Sequence, residues 1–173
     1  NKKSSRETKE GSVYIAEAEN KAALIKIACE TDFVAKNDQF KAFLKQIADQ
    51  ALELGGENFE EKTGSQGPIR EQFVEAISKM GENMVLVETV VWEAAEGCVI
   101  GTYTHTNSKI GVMVELHSEN EVDTSALKDI ARNIAMHIAA SQVEAIEEND
   151  LNPEVIEKER TFLIDQAKDS GKP

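Results

Sequence analysis

The sequence predicts an α+β fold of two similarly built subdomains, each a small antiparallel sheet packed against helices. Three observations carry this. Short β-branched runs at Ser12–Glu17, Ala22–Cys29 and Met84–Trp92 read as strands. Between the second and third lie two stretches with helical spacing, Phe40, Phe43, Leu44, Ile47, Ala51, Leu54 and then Ile69, Phe73, Ile77, Met80. The order hairpin then helix recurs after Gly97, which divides the chain into residues 11–97 and 98–173.

Each element has its own local reason. Residues Asn1–Glu10 are charged and hydroxyl-rich without an apolar residue, the composition of a linker or disordered tail. Glu19-Asn20-Lys21 is a polar turn that makes the first two strands a hairpin. The first helix begins between Asp32 and Asn37, either of which is an acceptable N-cap, and ends before Gly55-Gly56. Residues Glu57–Gly67 form a polar loop with room for one helical turn around Phe59. Pro68 fits the first position of the next helix, and Gly81 supplies its left-handed stop.

The second hairpin runs from Cys98 to His105 and from Lys109 to His117 around Thr106-Asn107-Ser108, with Ile110, Val112, Val114 and Leu116 on one face. A helix after Val122–Ser125 buries Leu127, Ile130, Ile134 and Ile138. The last helix is opened by Asn152 and Pro153, with Leu151 and Ile156 spaced as a hydrophobic staple, and stopped by Gly171 and Pro173. Identity between the halves is too low to read them as a repeat.

Composition narrows function by exclusion. The chain has 173 residues, 19 basic and 32 acidic, for a formal charge of −13. Such a surface repels a phosphate backbone, which argues against direct nucleic-acid binding. No apolar run reaches the ~20 residues of a membrane span. With no signal peptide visible, the expected compartment is cytoplasmic or an organelle interior. Cys29 and Cys98 are too few for a disulfide scaffold and read as reduced thiols. His105, His117 and His137 are widely spaced, and no zinc, calcium, P-loop, dinucleotide or nucleophile-elbow pattern occurs. No cofactor is therefore expected, and no enzyme. The expected activity is protein binding.

Candidate contacts sit at element ends, where side chains project. Thr31-Asp32-Phe33-Val34 lies where a strand gives way to a helix. Periodicity alone makes Phe33, seven residues before Phe40, the first core residue of that helix, with Asp32 only its cap. Met80 is likewise in phase with Phe73 and Ile77, a core position. His105, at a strand end beside a polar turn, is expected to be exposed.

Several segments resemble a known family. Cys29–Asn37, Met80-Gly81-Glu82-Asn83, Gly101–His105, Lys109–Val112, Ala135–Ala140 and Ser170–Pro173 are similar, in order, to elongation factor Ts, the nucleotide-exchange factor for elongation factor Tu. The resemblance implies an N-terminal and a C-terminal core subdomain. It also implies a small helical domain before the linker, and a helical hairpin and a further strand after Ser170–Pro173. By the same analogy Asp32 and Phe33, flanked by Thr31 and Val34, form a tip that enters the partner's nucleotide-binding domain near its magnesium site. Met80 and Gly81 would lie beside it, and His105 would approach the phosphate side. Met80 stands where isoleucine is common in the family, a volume-conserving exchange. A second expectation, from free sheet edges, is self-association into a homodimer without exchange activity.

Overall fold

A computed structural model describes residues 6–56, 59, 67–119, 123–141 and 143–169. The described residues fall into two compact units, Asn1–Ala140 and Ser141–Pro173. The fold is α+β, with one three-stranded and one two-stranded antiparallel sheet.

In the first unit, β1 (Glu10–Glu17) and β2 (Lys21–Cys29) form the expected hairpin, and β3 (Met84–Glu93) pairs with the other edge of β2. The strand period of two sends alternate side chains to opposite faces. One face carries Ala16, Ala23, Ile25 and Ile27 into the main core. Two helices cover that face, α2 (Asp38–Leu54) and α3 (Pro68–Met80). Phe40, Leu44, Ile47, Ala48 and Ala51 of α2 are buried there, and Phe43 meets Phe73 of α3 edge-on with ring centroids 5.0 Å apart. Phe59 is wholly buried in the same core. Its neighbours in the expected 57–67 loop lie mostly outside the described residues, as do Val122 and Ser170–Pro173.

The opposite face of the first sheet meets the second sheet, β4 (Cys98–Thr104) with β5 (Gly111–His117). A smaller cluster forms here from Ile15, Ala22, Ala94 and Ile100, with Leu24, Cys98 and Met113 beside it. On the far side of β4 lies α4 (Thr124–Ser141), and Gly101 makes that packing possible. A Cβ at Gly101 would stand 2.4 Å from both the Ala131 carbonyl carbon and the Arg132 nitrogen.

Two expectations are corrected here. Of the four residues assigned to the buried stripe of α4, Ile130 and Ile134 are 52% and 37% exposed, while Ala131 and Ala135 are fully buried. Close approach to a glycine selects the small side chains of the helix, not its largest ones. The single helix expected between Asp32–Asn37 and Gly55 is two. A short α1 (Asp32–Lys36) ends where Asn37 turns extended (φ −68°, ψ 138°), and α2 starts afresh at Asp38. Asn37 caps the second helix by accepting the Gln39 N–H at 2.7 Å. The first helix is capped by Thr31, not by Asp32.

In the second unit, a 3₁₀ turn (Glu148–Asp150) precedes α5 (Pro153–Asp169). Asn152 accepts the Glu154 N–H at 2.9 Å, as its cap position predicts. No side chain of α5 is buried. No helix among the described residues is long and apolar enough to cross a membrane.

Candidate functional site

The break at Asn37 decides the fate of Phe33. Because α1 and α2 have separate axes, the helical phase that joins Phe33 to Phe40 on paper does not carry across the junction. Phe40 is wholly buried and Phe33 is 83% exposed. The expectation that Phe33 opens the core of a single helix is overturned. Burial in this short helix falls instead to Ala35, which joins the main core with Val34 partly buried against it.

A free phenylalanine is useful only if the backbone beneath it is fixed, and here it is fixed by two carboxylates. The Glu82 carboxylate accepts the N–H groups of Glu30 (3.1 Å) and Thr31 (3.0 Å) at Oε2, and the Thr31 hydroxyl (2.6 Å) at Oε1. The Glu30 carboxylate returns the favour across the gap, accepting the Asn83 N–H at 2.5 Å. Bonds to an ionised acceptor are shorter and stronger than neutral ones. Arg6 closes the cluster: its guanidinium lies 3.1 Å from Glu30 Oε1 and donates to the Gly81 carbonyl at 2.9 Å. Its own carbonyl accepts from Asn83 Nδ2 at 2.7 Å. Three chain segments, far apart in sequence, are thus tied at the end of one sheet.

Gly81 shapes its part of this cluster. It ends α3 in the left-handed region (φ 79°, ψ −2°), a conformation that a side chain disfavours. Its N–H bonds the Ile77 carbonyl at 3.0 Å, and the reversal it makes delivers Glu82 to Thr31. Met80, in the last turn, is partly buried against the main core, in keeping with its helical phase.

Asp32, in the first turn of α1, is ion-paired to Lys36 one turn on, at 2.7 Å. The hydrogen bond from that ammonium holds its carboxyl below the ordinary carboxylate range, and the lysine is raised in return. Behind the tip, Cys29 is wholly buried with its thiol donating to the Thr31 carbonyl at 3.3 Å. Burial, helped by the Glu82 charge, pushes it up to about 11. Cys29 and Cys98 are both free thiols.

His105 belongs to the turn between β4 and β5. Its ring nitrogen Nδ1 lies 3.1 Å from the Tyr103 hydroxyl, and the side chain is exposed as expected. The turn is carried to the tip end of the first sheet by Lys109, whose ammonium reaches Glu10 at 2.5 Å and the Gly11 carbonyl at 2.9 Å. Glu10 pairs in register with Cys29, the residue before Glu30. Thr31, Asp32, Phe33 and Val34 thus adjoin the turn of Met80 and Gly81 at one end of the first sheet, and His105 lies on a separate turn tethered by Lys109 to Glu10 and Gly11 of that sheet. Among the described residues, no cluster of three or more His, Cys, Asp or Glu side chains could hold a metal.

A family profile described as Elongation factor TS matches residues 30–173. The chain belongs to the elongation factor Ts family. Among curated relatives, elongation factor Ts of Gluconobacter oxydans (strain 621H) is 39% identical over 180 residues, which cover 99% of this chain and 59% of the relative. That of Hydrogenovibrio crunogenus is 40% identical over 178 residues, covering 99% and 57%. That of Rhizobium rhizogenes is 39% identical over 181 residues, covering 99% and 58%. The chain spans a little under three fifths of the length of these elongation factor Ts relatives.

Only the family resemblance points to Thr31–Val34, and nothing in the sequence points to the bonds that fasten this turn. Glu30, Glu82 and Asn83 stand inside the two segments that resemble the family, yet neither periodicity nor composition joins residues 51 to 53 positions apart. Arg6 is more remote still, in a stretch whose composition reads as linker.

Proposed function

We propose that this chain is the core of a guanine nucleotide exchange factor that binds elongation factor Tu and promotes GDP release during translation elongation. The observation that carries the reading is a single one: Phe33 stands 83% exposed on a turn held by ionic hydrogen bonds. A large apolar side chain kept in water at some cost is expected where a partner buries it.

In this reading Phe33 wedges between helices of the partner's nucleotide-binding domain, close to its magnesium. Asp32 meets polar groups beside it, with Thr31 and Val34 at the flanks. Met80 and Gly81 extend the contact, and His105 faces the phosphate side. Residues 11–97 supply this surface. Residues 98–173 brace a second domain of the partner. The chain acts by binding and needs no bond chemistry, cofactor, membrane or nucleic acid of its own. Its site of action is the cytoplasm, or an organelle interior.

The physical basis is a coupling free energy. A wedge that fits only when magnesium and phosphate contacts are displaced weakens nucleotide binding by the same factor that nucleotide weakens the wedge. The factor then leaves, so the rate of exchange changes and the final balance of bound nucleotide does not. Stopped-flow release of a fluorescent GDP analogue from elongation factor Tu tests this. Acceleration that rises with added chain is expected, and release at the unassisted rate would overturn the reading.

A further inference from the structure

The two carboxylates beneath the tip suggest a division of labour between touching the partner and aiming what touches it. We infer that Glu82 is a positioning residue for Phe33, acting through the Thr31 hydroxyl to fix the first turn of α1. This rests on the exchange reading above.

The chain of contacts has a defined direction. The Thr31 hydroxyl has one proton, and it is donated to Glu82 Oε1 at 2.6 Å. Its oxygen then faces the Val34 N–H, which it accepts at 3.3 Å as the N-cap of α1. A five-residue helix has little intrinsic stability, so its first turn depends on that cap. Phe33 lies inside the capped turn, between Thr31 and Val34. Meanwhile Glu82 Oε2 takes both backbone N–H groups that precede the helix, at Glu30 and Thr31. One side chain therefore sets the cap's rotamer and the peptide planes leading into it. Glu82 itself is held on the turn made by Gly81, and Asn83 is anchored reciprocally by Glu30.

A neutral amide of the same shape cannot reproduce this. In Glu82→Gln one acceptor oxygen becomes an NH₂ donor, which either can no longer take the Thr31 hydroxyl proton or must face two backbone N–H groups. The turn then loses at least one charge-assisted bond while the core under it, formed by Cys29, Ala35 and Phe40, is untouched.

The test is a cycle of the whole chain with Phe33→Ala, Glu82→Gln and the double variant. Acceleration of GDP release from elongation factor Tu is measured per folded molecule, beside amide-exchange protection at Glu30, Thr31 and Val34. Glu82→Gln is expected to lose protection at these amides and to weaken acceleration about tenfold, the equivalent of one charge-assisted hydrogen bond. The double variant should fall within about twofold of Phe33→Ala alone, because residues acting through one another do not add. Thr31→Val, which removes only the hydroxyl, should lose Val34 protection and weaken acceleration in the same direction. It also serves if Glu82→Gln fails to fold. Full acceleration in Glu82→Gln, or losses that add in the double variant, would overturn the positioning role while the exchange reading stood. If Phe33→Ala itself accelerated release normally, the wedge role of Phe33 would fail and the positioning role with it, whereas release at the unassisted rate with the parent chain would overturn the exchange reading.

Discussion

Replacing Phe33 with alanine separates the two roles that a phenylalanine can play, because its exposure is so high. Full burial of such a side chain contributes ~1.5–3 kcal/mol. With 83% of it in water in the free chain, nearly all of that would be gained on burial by the proposed partner. Scaling by that fraction leaves roughly 1.2–2.5 kcal/mol at the interface, or about a ten- to seventy-fold loss of affinity. The fold itself should lose almost nothing, since alanine is also the better helix former. The assay is stopped-flow GDP release from elongation factor Tu over a range of chain concentrations, with a thermal melt of the same sample. The expected result is a curve shifted to higher concentration by the factor above and a melting temperature within about 2 °C of the parent. A variant that melts far earlier, with unchanged exchange per folded molecule, would refute the reasoning. Phe33 would then be a core residue after all.

Three further outcomes follow from the fold. Asn37→Ala removes the cap of α2, whose acceptor lies 2.7 Å from the Gln39 N–H, and should cost about 0.5–2 kcal/mol in urea unfolding; an unchanged midpoint would count against the cap. Gly101→Ala places a methyl 2.4 Å from the backbone of α4, so β4 and α4 must part, at a cost of about 1–3 kcal/mol or more, readable as a lowered midpoint with α4 helicity weakened. Cys29 is held protonated in the folded chain, with its thiol pushed from 9.0 up to about 11. A raised folded-state value means that its stabilising contribution is complete below about pH 9 and is lost as pH rises toward about 11. Cys29→Ala should therefore flatten that part of the stability profile relative to the parent, and parallel profiles would exclude the thiol as the cause.

The strands and the two cover helices were legible because their signals are local. The β-branched runs of β1 and β2, the proline and glycine that bracket α3, and the stripe of α2 each lie within about fifteen residues. What was not legible depends on partners distant in sequence or on one dihedral angle. Asn37 reads as an acceptable cap, but nothing local says that a separate short helix precedes it. That single extended residue moves Phe33 from the core to the surface. On α4, hydrophobicity pointed to Ile130 and Ile134. The structure buries Ala131 and Ala135 because Gly101 lets backbones meet there. Nothing local in the sequence pairs Glu30 with Asn83 or Glu82 with Thr31, and only the sheet's closure brings them together.

The glycine contact under α4 has a consequence for how the molecule comes apart. Among the described residues, sixteen buried ones join the first sheet to its covering helices, whereas four hold the second sheet to the first. Beyond that thin seam, α4 seats the small Ala131 and Ala135 where Gly101 lacks a side chain, so close fit there replaces apolar bulk. Such a layer is expected to detach in one piece, with β4, β5 and α4 opening together at a free energy well below that of global unfolding. The tip would keep its frame throughout, while the turn bearing His105 swung free and rejoined it.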